Sequence, residues 1–587
     1  MSPQSRKGRR WILISLTLGA FLLLTATLFY LQIIRYDYYR GKSTQNQMRP
    51  ETIQPFRGQI RDRRGRLIAD NAASYSVWAV PAIARRDTNV IRQLSGLLER
   101  DLERLQRKFN QLPGYSWKSF RLLRNLDFAA YARLEEHLDY LPGITVRPDL
   151  RRNYLDTTLA HVVGYLGEVR EQDLTDKPDL QLGDLVGVRG VEKVYDRQLR
   201  GEPGTRFVQV NALGRIVGAE PGYSEIPSRR GKDLFLGIDL ELQHLAHELL
   251  GDRSGTVLLM DSRNGEMLVG VSRPDFNPNV FGSRLSQETW QSLNDEQRRP
   301  LFSRIQQAVH PPGSTYKMVI VATAMQAGIS HYYRTECIGA YVLGDRVARC
   351  WLEEGHGWQN MRQSLAGSCD VYYYRLGLQL DVNSMAAGAR SFHFGELTGV
   401  DLPGEQAGLV PDSGWYNECF GKRGWTRGVL LNLAIGQGEV LVTPIQLLQY
   451  IAILANGGWS VVPHFGVRLL DREQHLSQSL EFPRWETVLP PVILEVLQAG
   501  MEDVVATDGG TASWLRRSAY TVAGKTGTAE NPQGEPHSWF VAYAPAQDPQ
   551  VALTVLVEHG GHGSEVAAPI AFRLLDRYFE LYAETGE

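Results

Sequence analysis

Apolar and polar positions separate the chain into one long apolar stretch near its start and shorter patterned segments after it. Residues 11–34 form a run of 24 residues without a charged side chain. As a helix this run is about 36 Å long, which is enough to cross a bilayer. The apolar core of a cleaved signal peptide is shorter. We therefore expect a transmembrane anchor at 11–34.

Basic residues before this stretch predict its orientation. The first ten residues contain Arg6, Lys7, Arg9 and Arg10, and basic flanks of a membrane span tend to stay in the cytoplasm. The pattern predicts a cytoplasmic tail at 1–10, a single pass through the inner membrane, and a periplasmic or extracellular location for the rest of the chain.

The segment 35–232 shows short mixed patterns and few clustered acids, bases or nucleophiles. A β-hairpin is predicted within 58–71, where an Arg-Gly turn signal separates two apolar runs. Helical patterns follow in 90–109 and between the glycines of 187–204. We interpret 35–232 as an elongated, mixed α/β pedestal without a catalytic role.

The segment 233–587 predicts a larger domain. A helical pattern at 240–250 precedes two strand patterns joined by an Arg-Asn-Gly turn, a strong hairpin signal. Three more strand patterns and a final helix at 566–581 follow. The five predicted strands are Thr256–Met260, Met267–Val271, Ser518–Thr526, Ser538–Tyr543 and Val551–Val557. Five antiparallel strands flanked by helices indicate the α+β fold class.

Composition narrows the function classes. The chain has 587 residues, of which 43% are hydrophobic and 22% are charged, and its net charge is −2. These values are typical of a globular protein with several domains. The sequence contains no basic excess, fixed-period repeat or low-complexity segment, which argues against nucleic-acid binding.

Candidate chemistry begins at Ser314 and Lys317, at the start of a predicted apolar helix that ends at Gly328. Residues three apart share one helix face, so the hydroxyl and the amine lie within reach of each other. A lysine beside apolar residues loses its proton easily, and a serine nucleophile needs such a base. Taken alone, the spacing is more often a helix-capping serine with an exposed lysine.

Two downstream motifs change this interpretation. Ser368–Asp370 falls in a predicted loop between helices, and Lys525–Thr528 ends a predicted strand. S-x-x-K followed by S-D-N-like and K-T-G elements is the signature of penicillin-binding proteins and serine β-lactamases. Three short motifs in this order and context are much more specific than any one of them.

On these motifs the chain resembles the class B penicillin-binding proteins of the elongation type, over nearly its whole length. Further matching elements are Arg57-Gly58, Asp62-Arg63 with Gly65, Gly187 with Gly190 and Glu192, Leu199 with Gly201, Gly436-Gln437-Gly438, and Thr443-Pro444 with Gln446. The resemblance implies an anchor at 11–34, a dimerisation-type pedestal at 35–232, and a D,D-transpeptidase domain at 233–587 with a serine β-lactamase-like fold.

The resemblance implies that the chain cross-links peptidoglycan during cell elongation and rod-shape maintenance. Ser314 would attack the bond between the two terminal D-alanines of a stem peptide, and neutral Lys317 would accept its proton. Lys525 would lower the pKa of Lys317, and Ser368 would pass a proton to the departing D-alanine. An amine of a neighbouring stem peptide then takes the acyl group. β-Lactams are expected to bind the same site.

The K-T-G motif is expected to bind the substrate. Lys525, Thr526 and Thr528 would hold the terminal carboxylate by charge-assisted hydrogen bonds. Gly527 would let the strand edge approach the ligand. By resemblance, the backbone N–H groups of Ser314 and Thr528 form the oxyanion hole.

Asp370 occupies a position where many relatives have asparagine, although some elongation-type members carry aspartate. An ionised carboxylate accepts hydrogen bonds and donates none. We therefore expect Asp370 to pair with Lys317 or with a backbone N–H group.

A second candidate site consists of Cys337, Cys350, His356 and Cys369. Three thiolates and one imidazole make a tetrahedral structural zinc set, and similar elongation-type enzymes have metal ligands at corresponding places. An ion there would brace the catalytic loop that contains Cys369. A Cys337–Cys350 disulfide and free buried thiols are the alternatives.

The resemblance also implies a partner and leaves two rival functions. A polytopic glycosyltransferase of the RodA type would contact the anchor and the pedestal, because nothing in this chain polymerises glycan. The first rival is a membrane-anchored D,D-carboxypeptidase or β-lactamase, in which water replaces the acceptor amine. The second is a non-catalytic β-lactam sensor or scaffold, against which the intact Ser314, Lys317, Ser368 and Lys525 argue.

Overall fold

The computed structural model describes most of the chain as two compact units. The described residues are 3–39, 48–114, 116–169, 180, 183–210, 216–219, 225–282, 286–532 and 534–585. The smaller unit contains 1–55, 73–150 and 202–229, and the larger contains 56–72, 151–201 and 230–587. Residues 1 and 2 of the predicted tail lie outside the described residues. Three stretches of the predicted pedestal, 56–72, 151–201 and 230–232, belong to the larger unit, and the boundary at 232 stays a prediction.

The apolar stretch forms the helix Pro3–Phe29, which continues as a π-helical turn at Tyr30–Ile34. The segment Arg10–Ile34 is long and apolar enough to cross a membrane, and its most apolar window is 0% buried. Exposed apolar surface of this extent indicates contact with lipid or a partner. The expected N-terminal helix is therefore present, and its orientation stays a prediction.

The rest of the smaller unit contains a helical layer and two groups of strands. The helices are Pro81–Ala84, Val90–Leu97, Leu102–Asn110 and Phe128–His137, with a 3₁₀ turn at Leu138–Tyr140. Met48–Ile53, Gly204–Val210 and Ile216–Ala219 pair as one antiparallel sheet. Phe120–Leu126 pairs with Leu67–Ala79, and Ile144–Tyr154 also belongs to that group, although residues 67–72 and 151–154 of these two strands are part of the larger unit. Ile91 and Leu94, at helical spacing, are buried in one cluster with Val77 and Leu122.

The larger unit is built around the predicted five-stranded antiparallel sheet. Its strands are β1 (Gly255–Asp261), β2 (Met267–Arg273), β3 (Ala523–Ala529), β4 (His537–Ala544) and β5 (Val551–Val557). Their order across the sheet is β2-β1-β5-β4-β3. The expected turn between β1 and β2 contains Gly265 with a φ of +84°, which a residue with a side chain rarely adopts. The strand order leaves β3 at one edge.

The boundary predicted for β3 was wrong. The strand begins at Ala523 and runs to Ala529, so the K-T-G-T motif lies inside the strand and does not end it. Glycines inside a strand weaken its sequence pattern. In the structure Gly524 leaves space for the Phe540 ring, because a Cβ on Gly524 would lie 2.9 Å from that ring.

Both faces of the sheet are buried, and apart from β3 its strands contain runs of consecutive apolar residues. One face packs against the helices Leu240–Leu250 and Ala567–Thr585. The other packs against Pro444–Ala455, whose residues are all buried. Trp539 and Tyr543 are fully buried on β4. This double packing makes the sheet a rigid support for the motif on β3.

The remaining elements of the larger unit are short. The helices are Ala160–Val163, Gly190–Val194, Asp196–Arg200, Gln287–Leu293, Lys317–Gln326, Met361–Ala366, Asp370–Gly377, Val382–Ser391, Ser413–Phe420, Val429–Ala434 and Pro491–Ala506, with 3₁₀ turns at Pro278–Gly282, Gly313–Tyr316 and Ser513–Leu515. The strands are Ile60–Arg61, Leu166–Glu168, Leu185–Gly187, Asp233–Leu236, Thr335–Cys337, Ala340–Leu343, Arg346–Arg349, Gly357–Gln359, Trp459–Val461, Gly466–Asp471, Leu476–Ser479 and Arg484–Glu486. The hairpin predicted within 58–71 is confirmed, since Ile60 pairs with Ala69.

A buried ion network joins three segments of the larger unit. Glu192 accepts hydrogen bonds from Arg57 Nε and from Arg152 Nε, each at 2.7 Å. Arg57 also donates to Asp196 at 2.8 Å. Burial alone would raise the pKa of Glu192, but Arg152 and Arg57 hold it below its ordinary value. Each buried charge therefore has a partner of opposite sign.

Candidate active site

Ser314 lies in the 3₁₀ turn Gly313–Tyr316, directly before the helix Lys317–Gln326. Gly313 has a φ of +55°, in the left-handed region that favours glycine. A Cβ on Gly313 would lie 2.6 Å from the carbonyl oxygen of Thr528. The glycine thus lets the turn that carries Ser314 contact β3 closely.

Lys317 is fully buried, and its amine contacts two residues of the S-x-D motif. Nζ donates to Ser368 O at 2.8 Å, to Ser368 Oγ at 3.2 Å and to Asp370 Oδ1 at 2.8 Å. The Tyr373 ring centroid lies 5.0 Å from Nζ. The other Asp370 oxygen accepts from the Trp351 N–H at 3.1 Å. Asp370 therefore makes both kinds of contact expected for it.

Ser368 lies between two lysines. It follows the helix Met361–Ala366, and its φ of +55° is rare for a residue with a side chain. Its Oγ is 2.9 Å from Lys525 Nζ and 3.2 Å from Lys317 Nζ. The strained backbone thus presents one hydroxyl to two amines, an arrangement that can pass a proton between them.

Lys525 is also fully buried, and its Nζ donates to Thr526 O at 3.0 Å. Burial, followed by the charge of Lys317, holds the pKa of Lys525 well below its ordinary value. The sequence interpretation placed this effect on Lys317. In the structure Asp370 is the counter-ion of Lys317, whereas within the described residues no carboxylate forms an ion pair with Lys525.

The two threonines of the motif on β3 are held by neighbouring loops. Thr526 Oγ1 shares a hydrogen bond of 2.7 Å with Thr511 Oγ1. Thr528 Oγ1 accepts from the Gly563 N–H at 3.4 Å, and Thr528 O accepts from Gln437 Nε2 at 3.0 Å. Both hydroxyls therefore have fixed positions on the edge strand.

The backbone of Thr528 lies beside the Ser314 turn. The N–H and C=O of one residue point to the same side of an antiparallel strand. Because Thr528 O accepts from the Gln437 side chain, its N–H points to the outer edge of β3. A Cβ on Gly313 would lie 3.3 Å from Thr528 N. This arrangement suits the oxyanion hole predicted from the N–H groups of Ser314 and Thr528, whose role stays a prediction.

Gly527 packs β3 against the same turn. A Cβ at this position would lie 2.8 Å from Thr315 Cγ2, 3.0 Å from Trp539 Cβ and 3.2 Å from Pro312 O. The sequence interpretation explained this glycine by the approach of a ligand. The structure gives it a second requirement, because any side chain would separate the strand from the turn that carries Ser314.

The predicted metal ligands converge in the structure. The ligand atoms of Cys337, Cys350, His356 and Cys369 all lie within 4.8 Å of one another. His356 Nε2 is 3.1 Å from Gly367 O. Because a carbonyl oxygen can only accept, Nε2 is the donor in this hydrogen bond. The other ring nitrogen, Nδ1, faces the sulfurs of Cys337 and Cys350 at 3.7 and 3.5 Å. These cysteines are buried free thiols without a disulfide. The set fits tetrahedral zinc, and the ion itself stays a prediction.

Comparison with known proteins shows the family to which the chain belongs. The family described as "Penicillin binding protein transpeptidase domain" matches residues 255–576, and "Penicillin-binding Protein dimerisation domain" matches 52–236. The chain is 33% identical to peptidoglycan D,D-transpeptidase MrdA of Acinetobacter baumannii over 594 aligned residues, which cover 96% of this chain and 86% of that protein. The chain belongs to the penicillin-binding protein family.

Solved structures of other proteins have the same fold. The complex between PBP2 and MreC from Helicobacter pylori aligns with a TM-score of 0.80 at 30% identity, over 91% of this chain and 99% of that chain. A structure entitled "Structural coordination of polymerization and crosslinking by a peptidoglycan synthase complex" aligns with a TM-score of 0.70 at 27% identity, over 98% of both chains. The expected resemblance to elongation-type PBP2 is confirmed.

Sequence reasoning missed several contacts in this penicillin-binding protein. Tyr373 stands three residues after Asp370 on one helix face, so its place beside Lys317 had a sequence signal. Gln437 had a weaker signal in its two flanking glycines. Thr511 had none, because its contact with Thr526 depends on how the loop before β3 folds back onto the strand.

Proposed function

We propose that this penicillin-binding protein is a peptidoglycan D,D-transpeptidase that cross-links stem peptides during cell elongation and rod-shape maintenance, and that β-lactams acylate it. One observation carries the proposal. The side chains of Lys317, Ser368 and Lys525 form one buried hydrogen-bonded group. Lys317 begins the helix that directly follows the turn of Ser314, in a chain with 33% identity to MrdA.

Substrate binding prepares the base. The terminal carboxylate of a stem peptide, held by Lys525, Thr526 and Thr528, stabilises a positive charge on Lys525. A proton then passes from Lys317 through the Ser368 hydroxyl, which lies within 3.2 Å of both amines. Lys317 becomes neutral and can act as the base.

Acylation follows at Ser314. Its Oγ loses a proton to Lys317 and attacks the carbonyl carbon between the two D-alanines. The N–H groups of Ser314 and Thr528 stabilise the developing oxyanion, each contributing about 3 to 4 kcal/mol in comparable sites. Ser368 delivers a proton to the departing D-alanine amine. An acceptor amine then displaces Ser314 and forms the cross-link.

The test uses full-length protein in detergent with nascent peptidoglycan strands, and it measures cross-linked peptides and free D-alanine. Transpeptidation predicts both products in the wild type and neither with Ser314→Ala. The rival carboxypeptidase predicts D-alanine without cross-links. If the protein is a non-catalytic β-lactam sensor, cells with Ser314→Ala keep normal cross-linking and growth. Either of these two results would contradict the proposed transpeptidase function.

We propose that Cys337, Cys350, His356 and Cys369 hold one structural zinc ion, which braces the loop of Ser368. The convergence of four suitable ligand atoms supports this proposal. Metal analysis of purified protein is expected to find one zinc per chain, which Cys350→Ser removes. The exposed Cys419 provides the matched control, because Cys419→Ser should keep the ion. Protein without zinc and with a Cys337–Cys350 disulfide would contradict the proposal.

We propose a RodA-type glycosyltransferase as the membrane partner of this chain. The solved neighbour described as coordinating polymerization and crosslinking supports it, as does the exposed apolar helix Arg10–Ile34. Co-purification of the two proteins in detergent is expected, with loss of the complex when residues 1–34 are replaced by an unrelated membrane helix. Unchanged co-purification of that chimaera would exclude the anchor as the contact.

We propose that residues 1–10 are cytoplasmic and that the catalytic unit lies outside the membrane. The basic residues before the anchor support this orientation. Protease added to intact spheroplasts is expected to cleave after the anchor and to spare an epitope at the N-terminus. Protection of the catalytic unit would reverse the orientation.

A further inference from the structure

A cleft of the larger unit is lined by arginines and contains no acidic residue. The hairpin of Ala340–Leu343 and Arg346–Arg349 forms one wall, and the segment 426–432 forms the other. Arg346 and Arg427 line the cleft, and none of the described residues that line it is an aspartate or a glutamate. The positive charge of the two arginines is therefore not balanced from within the lining.

Neutral oxygens hold both guanidinium groups in place. Arg346 donates to Gly428 O at 3.2 Å and to Asn432 Oδ1 at 2.6 Å. Arg427 donates to Leu378 O at 2.8 Å. Each guanidinium has five N–H donors, so donors remain on both. Both arginines are exposed, and among described residues neither forms an ion pair, so neither guanidinium group has a carboxylate partner.

Two further charged residues lie near the cleft, and neither forms an ion pair with Arg346 or Arg427 among the described residues. Arg375 adds a third positive charge close by, with its guanidinium carbon 5.4 Å from the Tyr341 ring centroid in the same hairpin. Asp345 precedes Arg346 in the hairpin turn, but it is exposed and does not line the cleft. A carboxylate or another anion of a ligand is the natural complement of this surface.

A series of hydrogen bonds connects the cleft with the strand edge beside the catalytic turn. Asn432, which binds Arg346, accepts from the Gln437 N–H at 2.9 Å through its carbonyl oxygen. Gln437 Nε2 donates to Thr528 O at 3.0 Å, and the Gly313 N–H donates to Gly436 O at 2.8 Å. Two residues thus connect Arg346 to the strand edge that faces Ser314.

We propose that this cleft is the acceptor subsite, in which Arg346 and Arg427 bind a carboxylate located close to the attacking amine of the second stem peptide. The proposal rests on the proposed transpeptidase function and adds a requirement on its second substrate. A planar guanidinium binds a carboxylate through two parallel hydrogen bonds. Anchoring the carboxylate holds the amine near the acyl group and reduces the entropic cost of the encounter.

The step that the subsite serves is balanced without a further reactant. The lone pair of the neutral acceptor amine attacks the ester carbonyl carbon of acyl-Ser314. A C–N bond forms and the C–Oγ bond breaks. The Oγ atom keeps the bonding electron pair and takes one proton from the attacking nitrogen, which regenerates the serine hydroxyl and leaves an amide.

The test compares two acceptors that share one amine. Full-length protein in detergent receives a D-alanyl thioester donor together with D-alanine or D-alaninamide, and the amide products are quantified. Arg346→Gln and Arg427→Gln should each raise the acceptor KM for D-alanine about tenfold, the loss expected for one hydrogen bond to a charged group. The KM for D-alaninamide should not change. Arg346→Lys, which keeps the charge, should retain part of the preference for D-alanine.

Two controls separate the possible outcomes. The exposed Arg573 on the C-terminal helix is the matched control, and Arg573→Gln should leave both KM values unchanged. Penicillin acylation should be normal in every variant, which shows intact folding. Equal effects on both acceptors, or no effect on D-alanine, would overturn the subsite and leave the proposed function standing. A wild type that forms no amide product with either acceptor, or is not acylated, would remove the proposed function and the subsite together.

Discussion

Asp370 is the residue that most clearly sets the charge at the catalytic group. Its two oxygens accept from Lys317 Nζ and from the Trp351 N–H. Asparagine offers one oxygen and one NH₂ group, so Asp370→Asn leaves one of these donors facing another donor. We expect penicillin acylation to slow about tenfold or more, because a hydrogen bond to a charged group is lost. Stopped-flow labelling with a fluorescent penicillin measures this rate.

The control for this prediction is Asp508→Asn. Asp508 is an exposed aspartate with a single surface ion pair, and surface pairs contribute little. Its acylation rate should equal that of the wild type. A large increase in acylation by Asp370→Asn would show that the carboxylate restrains Lys317 and does not position it.

His537 shows what a single-residue pattern does not reveal. His537 directly precedes the predicted strand Ser538–Tyr543, yet its side chain is buried beside His310 and His559, with ring centroids 4.4 and 5.0 Å away. Burial, and then the charge of His310, lowers the pKa of His537 from 6.5 to about 4. Such burial depends on segments distant in sequence, which periodicity along one strand cannot show.

This histidine makes the stability depend on pH. The unfolded chain binds the proton more tightly than the folded one, because the folded pKa is lower, so the free energy of unfolding should fall as the pH drops from 6.5 to 4. Urea unfolding at several pH values measures the slope. His537→Asn should flatten it, although the buried His161, whose pKa is also about 4, leaves a remaining slope. The exposed His475→Asn control should change nothing, and an unchanged slope in His537→Asn would contradict the assignment.

At the scale of elements, the stability and the acylation rate of the protein depend on close contact between β3 and the turn that contains Ser314. Gly527→Ala places a Cβ 2.8 Å from Thr315 and 3.0 Å from Trp539 Cβ. We expect a loss of about 1 to 3 kcal/mol in the free energy of unfolding, because overpacking displaces backbone. Penicillin acylation should fall as well, since the strand moves away from Ser314. Thermal unfolding and labelling rates measure the two effects.

Gly509→Ala is the matched control for this contact. A Cβ there meets nothing within 4 Å, and Gly509 does not have a positive φ. The free energy of unfolding should change by less than about 0.5 kcal/mol, as expected for a surface substitution. Comparable losses in both glycine variants would mean that backbone entropy, and not the contact with Thr315, causes the effect.

Hydrophobic patterning predicted which elements exist better than where they begin. The apolar runs of β1, β2, β4 and β5 were placed to within one residue at either end in most cases, because each run is bounded by turn residues. β3 was displaced because Gly524 and Gly527 interrupt its pattern. Tertiary packing determines the left-handed backbone of Ser368, the contact of Thr511 with Thr526 and the arginine cleft. The spacing of apolar residues does not encode such packing.

At the scale of the whole molecule, the ion network at Glu192 joins segments more than a hundred residues apart in sequence, such as those of Arg57 and Glu192. Glu192→Ala leaves two buried arginines without their shared carboxylate. We expect a loss of about 3 to 5 kcal/mol in the free energy of unfolding, the cost of an uncompensated buried charge. Chemical denaturation followed by intrinsic fluorescence measures it.

Glu202→Ala is the control for the buried network. Glu202 makes a 3.8 Å pair with Arg229, and both side chains are mostly exposed. Such a pair contributes about 0 to 1 kcal/mol. Similar stability of the two variants would mean that the Glu192 network is replaceable by solvent.

The most direct measurement of the central claim is covalent labelling of the full-length protein in detergent with a fluorescent penicillin, followed by peptide mapping of the modified residue. The account predicts one modified side chain, Ser314, and complete loss of labelling in Ser314→Ala, while Thr315→Ser keeps it. A label on any other residue, or labelling that persists in Ser314→Ala, would contradict the assignment of the nucleophile.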